Sequence, residues 1–161
     1  MAVRKFKKKV VAVAAKRPED NQGEDYIANG ATALAMLTKN AQVEISDESV
    51  SRELDGVNWG SDPEIIIGSE FKFTASIEAQ GSGTANTAVV YAPLLQAAGR
   101  DVDTATVPTE VSYNQLTDGT ELDITVYFEI DGHLYSGVGC RGTVKTMLKA
   151  KELPYLEFEI K

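Results

Sequence analysis

Apolar residues along this chain recur mostly at every second position, the spacing of strands with one face in a core and the other in water. The clearest run is Leu122, Ile124, Val126, Phe128 and Ile130. Phe71 to Glu78 alternates in the same way, and Lys9 to Ala15 reads as a first strand. Ala41 to Ile45, Thr109 to Tyr113, His133 to Val138, Thr143 to Leu148 and Tyr155 to Ile160 are further strand candidates, and Ala31 to Leu37 fits strand or helix, its short length and context favouring strand. Asp131-Gly132 is a hairpin turn signal between two of them. Gly137, Gly139 and Gly142 bracket Cys140-Arg141, which predicts a bulge or a close backbone approach. A single helix stands out. Thr87 is its candidate N-cap, Val89, Val90, Leu94 and Leu95 share a face, and Gly99 sits where a C-terminal cap belongs. Pro93 fits a first turn, so the regular part is expected to start near Ala92.

Between these elements lie stretches rich in Asp, Asn, Gly and Ser. Pro18 to Gly30 and residues 80–87 read as loops. Residues 46–69 carry many charges and turn formers and read as one long loop. The pattern predicts a mainly β chain of about eight or nine strands. Its fold class is two packed antiparallel β-sheets, as a sandwich or a barrel, with one short flanking α-helix and a long loop. No repeat or low-complexity linker divides it, so residues 1–161 read as one domain.

Composition changes the picture only through charge. The chain has 161 residues, 24 acidic against 16 basic, for a net charge of −8. Seven of the basic residues fall within residues 1–17, where there is no acid. A basic arm over residues 1–9 therefore precedes an acidic body. The plain reading is a solvated tail. The sharper one is an arm that docks on an acidic neighbour, such as another copy of the chain. Lys7, Lys8 and Lys9 are its candidate contacts. An acidic body disfavours a freely exposed nucleic-acid-binding surface. No run approaches the ~18 apolar residues of a membrane-spanning helix, so no membrane partner is expected. Val10 to Ala15 is shorter than the apolar core of a secretion signal, and general export is not expected.

Catalytic chemistry finds little footing. His133 is the sole histidine and Cys140 the sole cysteine. They cannot supply the usual ligands of zinc, and no disulfide can close within the chain. Asp101-Val102-Asp103 begins like a calcium loop, but no Asp, Asn or Gly follows at the required spacing, so it reads as a solvated loop. Gly81-Ser82-Gly83 lacks the lysine of a phosphate cradle. Neither an enzyme nor a cofactor is expected. Trp59 in the long loop is a candidate interface anchor.

The second half of the chain resembles a known family. Gly81-Ser82-Gly83-Thr84-Ala85 leading into Tyr91-Ala92-Pro93-Leu94-Leu95-Gln96-Ala97-Ala98-Gly99 is similar to the strand-to-helix segment of major tail tube proteins of long-tailed bacteriophages. Val126 to Gly132, Gly139 to Val144 and Glu152 to Phe158 resemble that family's closing strands, in order. The likeness extends in outline over residues 30–160. It implies a structural subunit whose hexameric rings stack into a tube that conducts the genome. Implied partners are other copies of the chain, the tape measure, tail tip and terminator proteins, and passing DNA that is not held tightly. The implied location is the tail of the virion, assembled in the bacterial host cytoplasm. The long loop is then expected to reach a neighbouring subunit, which adds Arg52, Glu53, Asp55, Trp59 and Asp62 to the interface candidates. Acidic residues facing a lumen would repel DNA phosphates. The alternatives are a tail terminator or connector that stops at one ring, and a monomeric β-sandwich ligand-binding module.

Overall fold

The computed structural model describes residues 9–51, 64–104, 109–117 and 122–161. Among these residues ten strands and one helix follow in the order β1 (Lys9–Ala15), β2 (Leu34–Met36), β3 (Lys39–Ser51), β4 (Glu64–Glu78), α1 (Ala92–Ala97), β5 (Arg100–Asp103), β6 (Ser112–Gln115), β7 (Ile124–Ile130), β8 (His133–Cys140), β9 (Gly142–Met147) and β10 (Tyr155–Ile160). One four-stranded sheet runs β2-β1-β7-β8 and the other β3-β4-β10-β9, every pairing antiparallel. The two open sheets pack face to face as a sandwich, not a closed barrel. β5 and β6 form a separate ribbon beside α1.

The period-2 pattern sets which face is buried. Val11 and Val13 of β1 lie opposite Phe128 and Val126 of β7, and all four are buried. From the other sheet, Phe73, Ala75 and Ile77 of β4 meet Phe158 and Ile160 of β10. Phe73 and Phe128 touch across the layers with ring centroids 6.1 Å apart, within the range aromatic pairs favour. Leu94, Leu95 and Ala97 of α1 join the same core.

The turns follow the expected chemistry. Asp131 and Gly132 both have positive φ, 52° and 84°, the requirement of the tight turn that suits a twisted hairpin. Near the end of β8 the register slips between Ile124 and Val126 of β7, so the glycine-bracketed segment is a bulge. Two glycines there are needed for space. A Cβ at Gly142 would stand 2.1 Å from the Glu159 carbonyl oxygen, and one at Gly137 would stand 2.4 Å from the Phe71 ring.

Four sequence expectations need correction. Residues 46–69 are not one long loop: Ser46 to Ser51 continue β3, and Glu64 to Ser69 belong to β4. The charges there disguise strands because both faces are exposed. Asp101-Val102-Asp103 lies in β5, paired with Ser112 to Asn114, so it is no solvated loop. The helix has Tyr91 at its N-cap with no side-chain hydrogen bond, not Thr87. Tyr113 takes over the anchoring, its hydroxyl accepting the Val89 N–H at 2.9 Å. Finally, only Leu34 to Met36 of the 31–37 stretch form strand.

Candidate assembly surface

β3 and β4 are much longer than the sandwich that holds them. β10 pairs with β4 from Glu78 back to Phe73 and goes no further. Beyond that point β4 has only β3 for a partner among the described residues. Residues 46–51 and 64–70 therefore leave the body as a two-stranded ribbon, about 20 Å long at the usual rise per residue. Every described residue of the ribbon is exposed.

Apolar side chains on this ribbon are its unusual feature. Ile65, Ile66 and Ile67 stand in a row, with Val50 opposite Ile65. Ile66 and Ile67 are 62% and 59% exposed. A register shift between Glu48 and Ser49 interrupts the pairing opposite this row. Acids flank them. Asp47, Glu48, Glu64 and Glu70 belong to the ribbon, and no base does among its described residues. Short polar contacts hold the strands in register: Ser49 Oγ donates to Glu64 Oε2 at 2.7 Å, and Ser69 Oγ to Asp47 Oδ1 at 2.6 Å. At its root Lys161 pairs with Glu70 at 3.1 Å and Lys72 with Glu159 at 3.0 Å. The Lys72 ammonium beside Glu159 keeps that carboxyl below the ordinary glutamate range.

An isolated two-stranded ribbon is at best marginally stable in water. Three neighbouring exposed isoleucines add an apolar patch that a partner surface can cover. Among the described residues the body also has open edges. β2 and β8 end one sheet, β3 and β9 the other. β8 carries exposed Leu134 and Val138. Such edges present backbone groups that a second chain can pair with.

Most residues singled out from sequence lie outside the described residues: Lys7, Lys8, Arg52, Glu53, Asp55, Trp59 and Asp62. Lys9 is described. It opens β1 opposite Ile130, and its ammonium donates to the Ala41 carbonyl at 2.8 Å, tying one sheet to the other. His133 is exposed at the first position of β8, and Cys140 is buried at its last. Burial, with Asp123 nearby, pushes the Cys140 thiol up to about 11, so it is not a thiolate nucleophile at neutral pH. No group of three or more His, Cys, Asp or Glu that could hold a metal occurs among the described residues. No helix among them is long and apolar enough to cross a membrane.

The sequence reading missed a polar cluster on the outer side of β7. Asp123, Thr125 and Tyr127 lie at alternate positions and hold the 17–30 loop. Asp123 Oδ2 accepts from the Tyr26 hydroxyl and from the Gly23 N–H at 2.9 Å. Thr125 Oγ1 accepts the Tyr26 N–H at 3.1 Å, and the Tyr127 hydroxyl donates to Asp25 at 2.6 Å. Arg17 clamps Asp20 through two of its guanidinium nitrogens, which holds that carboxyl below the ordinary range. This cluster fastens a loop to a sheet. Compared with known proteins, the chain matches no family model and no curated protein.

Proposed function

We propose that this chain is a structural subunit of a bacteriophage tail tube, which self-assembles into stacked hexameric rings that form a DNA conduit. The observation that carries the reading is the free β3–β4 ribbon with its row of exposed isoleucines. A ribbon of that kind gains its stability by lying on another subunit. Open sheet edges support it further, because ring closure would satisfy them. The acidic balance suits a conduit, since a surface of net negative charge repels phosphates instead of trapping them. The resemblance in the closing strands supplies the hexameric rings and the partners: tape measure, tail tip and terminator proteins.

The test is solution mass by light scattering over a concentration series, with negative-stain images of the same fractions. Tubes or stacked rings, with or without added tail tips as seeds, are the expected result. Single rings that never stack would assign the chain to a terminator instead. A chain that stays monomeric with seeds present would refute the structural reading and favour a binding module.

A further inference from the structure

The loop over residues 17–30 carries the one Asn-Gly pair of the sequence, Asn29-Gly30. Such a pair has a chemistry of its own. Glycine has no Cβ to shield its backbone nitrogen, which can attack the side-chain amide carbon of the asparagine before it. A C–N bond forms, ammonia leaves, and a cyclic imide remains. Water then opens the imide on either side. The product is aspartate, or an isoaspartate whose main chain is longer by one carbon. Water is the sole co-reactant.

Both residues are exposed, so water reaches them. The fold nevertheless ties up both reacting groups. The Gly30 N–H donates to the Ile27 carbonyl at 3.1 Å, which commits the attacking nitrogen to a turn. Asn29 Nδ2 donates to Glu24 Oε2 at 3.0 Å, which holds the amide toward that carboxylate. The Asn29 and Ala31 N–H groups donate to the Asp25 and Tyr26 carbonyls at 3.0 and 2.8 Å. Arg17 Nη2 donates to the Asn29 carbonyl at 2.9 Å. The turn is fastened to β7 in its own right, through the polar bonds of Asp123, Thr125 and Tyr127. Tyr26 is the one buried side chain among residues 21–30. A segment held mainly by polar bonds opens at less cost than the core strands beneath it.

We infer that Asn29 is a guarded self-modification site. Deamidation is slow while the 17–30 loop is seated on β7, it runs when the loop lifts, and its product hinders reseating. The inference stands apart from the proposed tube. Either product replaces the Nδ2 donor with a carboxylate facing Glu24, so an attraction becomes a repulsion. Isoaspartate also lengthens the chain inside the turn and moves the Gly30 N–H away from the Ile27 carbonyl. The change is a one-way latch on this loop.

Peptide mass spectrometry of the full chain, kept in warm neutral buffer, tests it; chromatography separates aspartate from isoaspartate. Deamidation at Asn29 should be at least about tenfold slower in the folded chain than in guanidinium chloride. Tyr127→Phe removes the bond to Asp25 and should move the folded rate toward the denatured one, with circular dichroism still native. Equal rates in the folded and denatured wild type would overturn the guard. An unchanged Asn29 in denaturant would overturn the site itself. Asn29→Asp supplies one product directly. Its amides at Tyr26, Gly30 and Ala31 should exchange with deuterium faster than in the wild type, while those of β10 keep their rates. Unaltered exchange at those three positions would overturn the latch.

Discussion

The Tyr26 hydroxyl donates a 2.5 Å hydrogen bond to Oδ2 of Asp123, a residue 97 positions later in the chain. Both side chains are buried, Asp123 at 1% exposure, and its Oδ1 has no partner among the described residues. A buried carboxylate served on one oxygen makes each of its donors count. Tyr26→Phe leaves only the Gly23 N–H on that group. Urea unfolding of Tyr26→Phe should show a loss of about 1–3 kcal/mol. Asp123→Asn keeps an acceptor oxygen for the same two donors and should cost less than Asp123→Ala.

Alkaline pH should destabilise the fold through two groups. Burial first, then Asp123, pushes the Tyr26 hydroxyl up from 10.0 to about 12, and burial pushes Cys140 from 9.0 to about 11. Both are neutral in the folded chain and lose protons earlier in the unfolded one. Their contribution is therefore complete below about pH 9 and is lost as pH rises through 9–12. Melting temperature measured across that range should fall. The fall should be shallower in Cys140→Ala and in Tyr26→Phe, each measured against its own value at neutral pH.

Two glycines make a matched pair. At Gly142 a Cβ would meet the Glu159 carbonyl at 2.1 Å, so Gly142→Ala must push β9 from β10. A loss at the upper end of the ~1–3 kcal/mol typical of overpacking is expected. Gly81 has nothing within 4 Å and no positive φ. Gly81→Ala should change denaturation by under about 0.5 kcal/mol.

The isoleucine row should separate folding from assembly. Ile65, Ile66 and Ile67 are all exposed in the single chain. Replacing the three with Ser should leave circular dichroism and the main melting transition nearly unchanged. Tube formation, scored by sedimentation and microscopy, should be lost.

The sandwich was legible because alternation writes burial directly. Ile124, Val126 and Phe128 point inward as their spacing predicts, and Asp131-Gly132 turns as its composition predicts. The ribbon was not, because alternation marks a strand only when one face is buried. Ser46 to Ser51 and Glu64 to Glu70 face water on both sides, so they look like loop. The overlooked signal was three consecutive isoleucines amid charges, which no solvated loop requires. The Tyr26–Asp123 pairing was hidden for another reason. It joins a loop to a strand across most of the chain, and no local spacing encodes such a distance.

β4 is one strand with two stabilities. From Phe73 to Glu78 it is bonded on both sides and backed by the core; from Glu64 to Glu70 it has a single neighbour and water all around. Amide exchange should therefore be slow in one half and fast in the other, within 15 residues. Fixing a loose residue costs about 1–2 kcal/mol of conformational entropy. In the proposed tube that cost falls most heavily on the first few subunits, before neighbours share it. Assembly would then show a lag, a critical concentration, and rapid elongation once a seed exists.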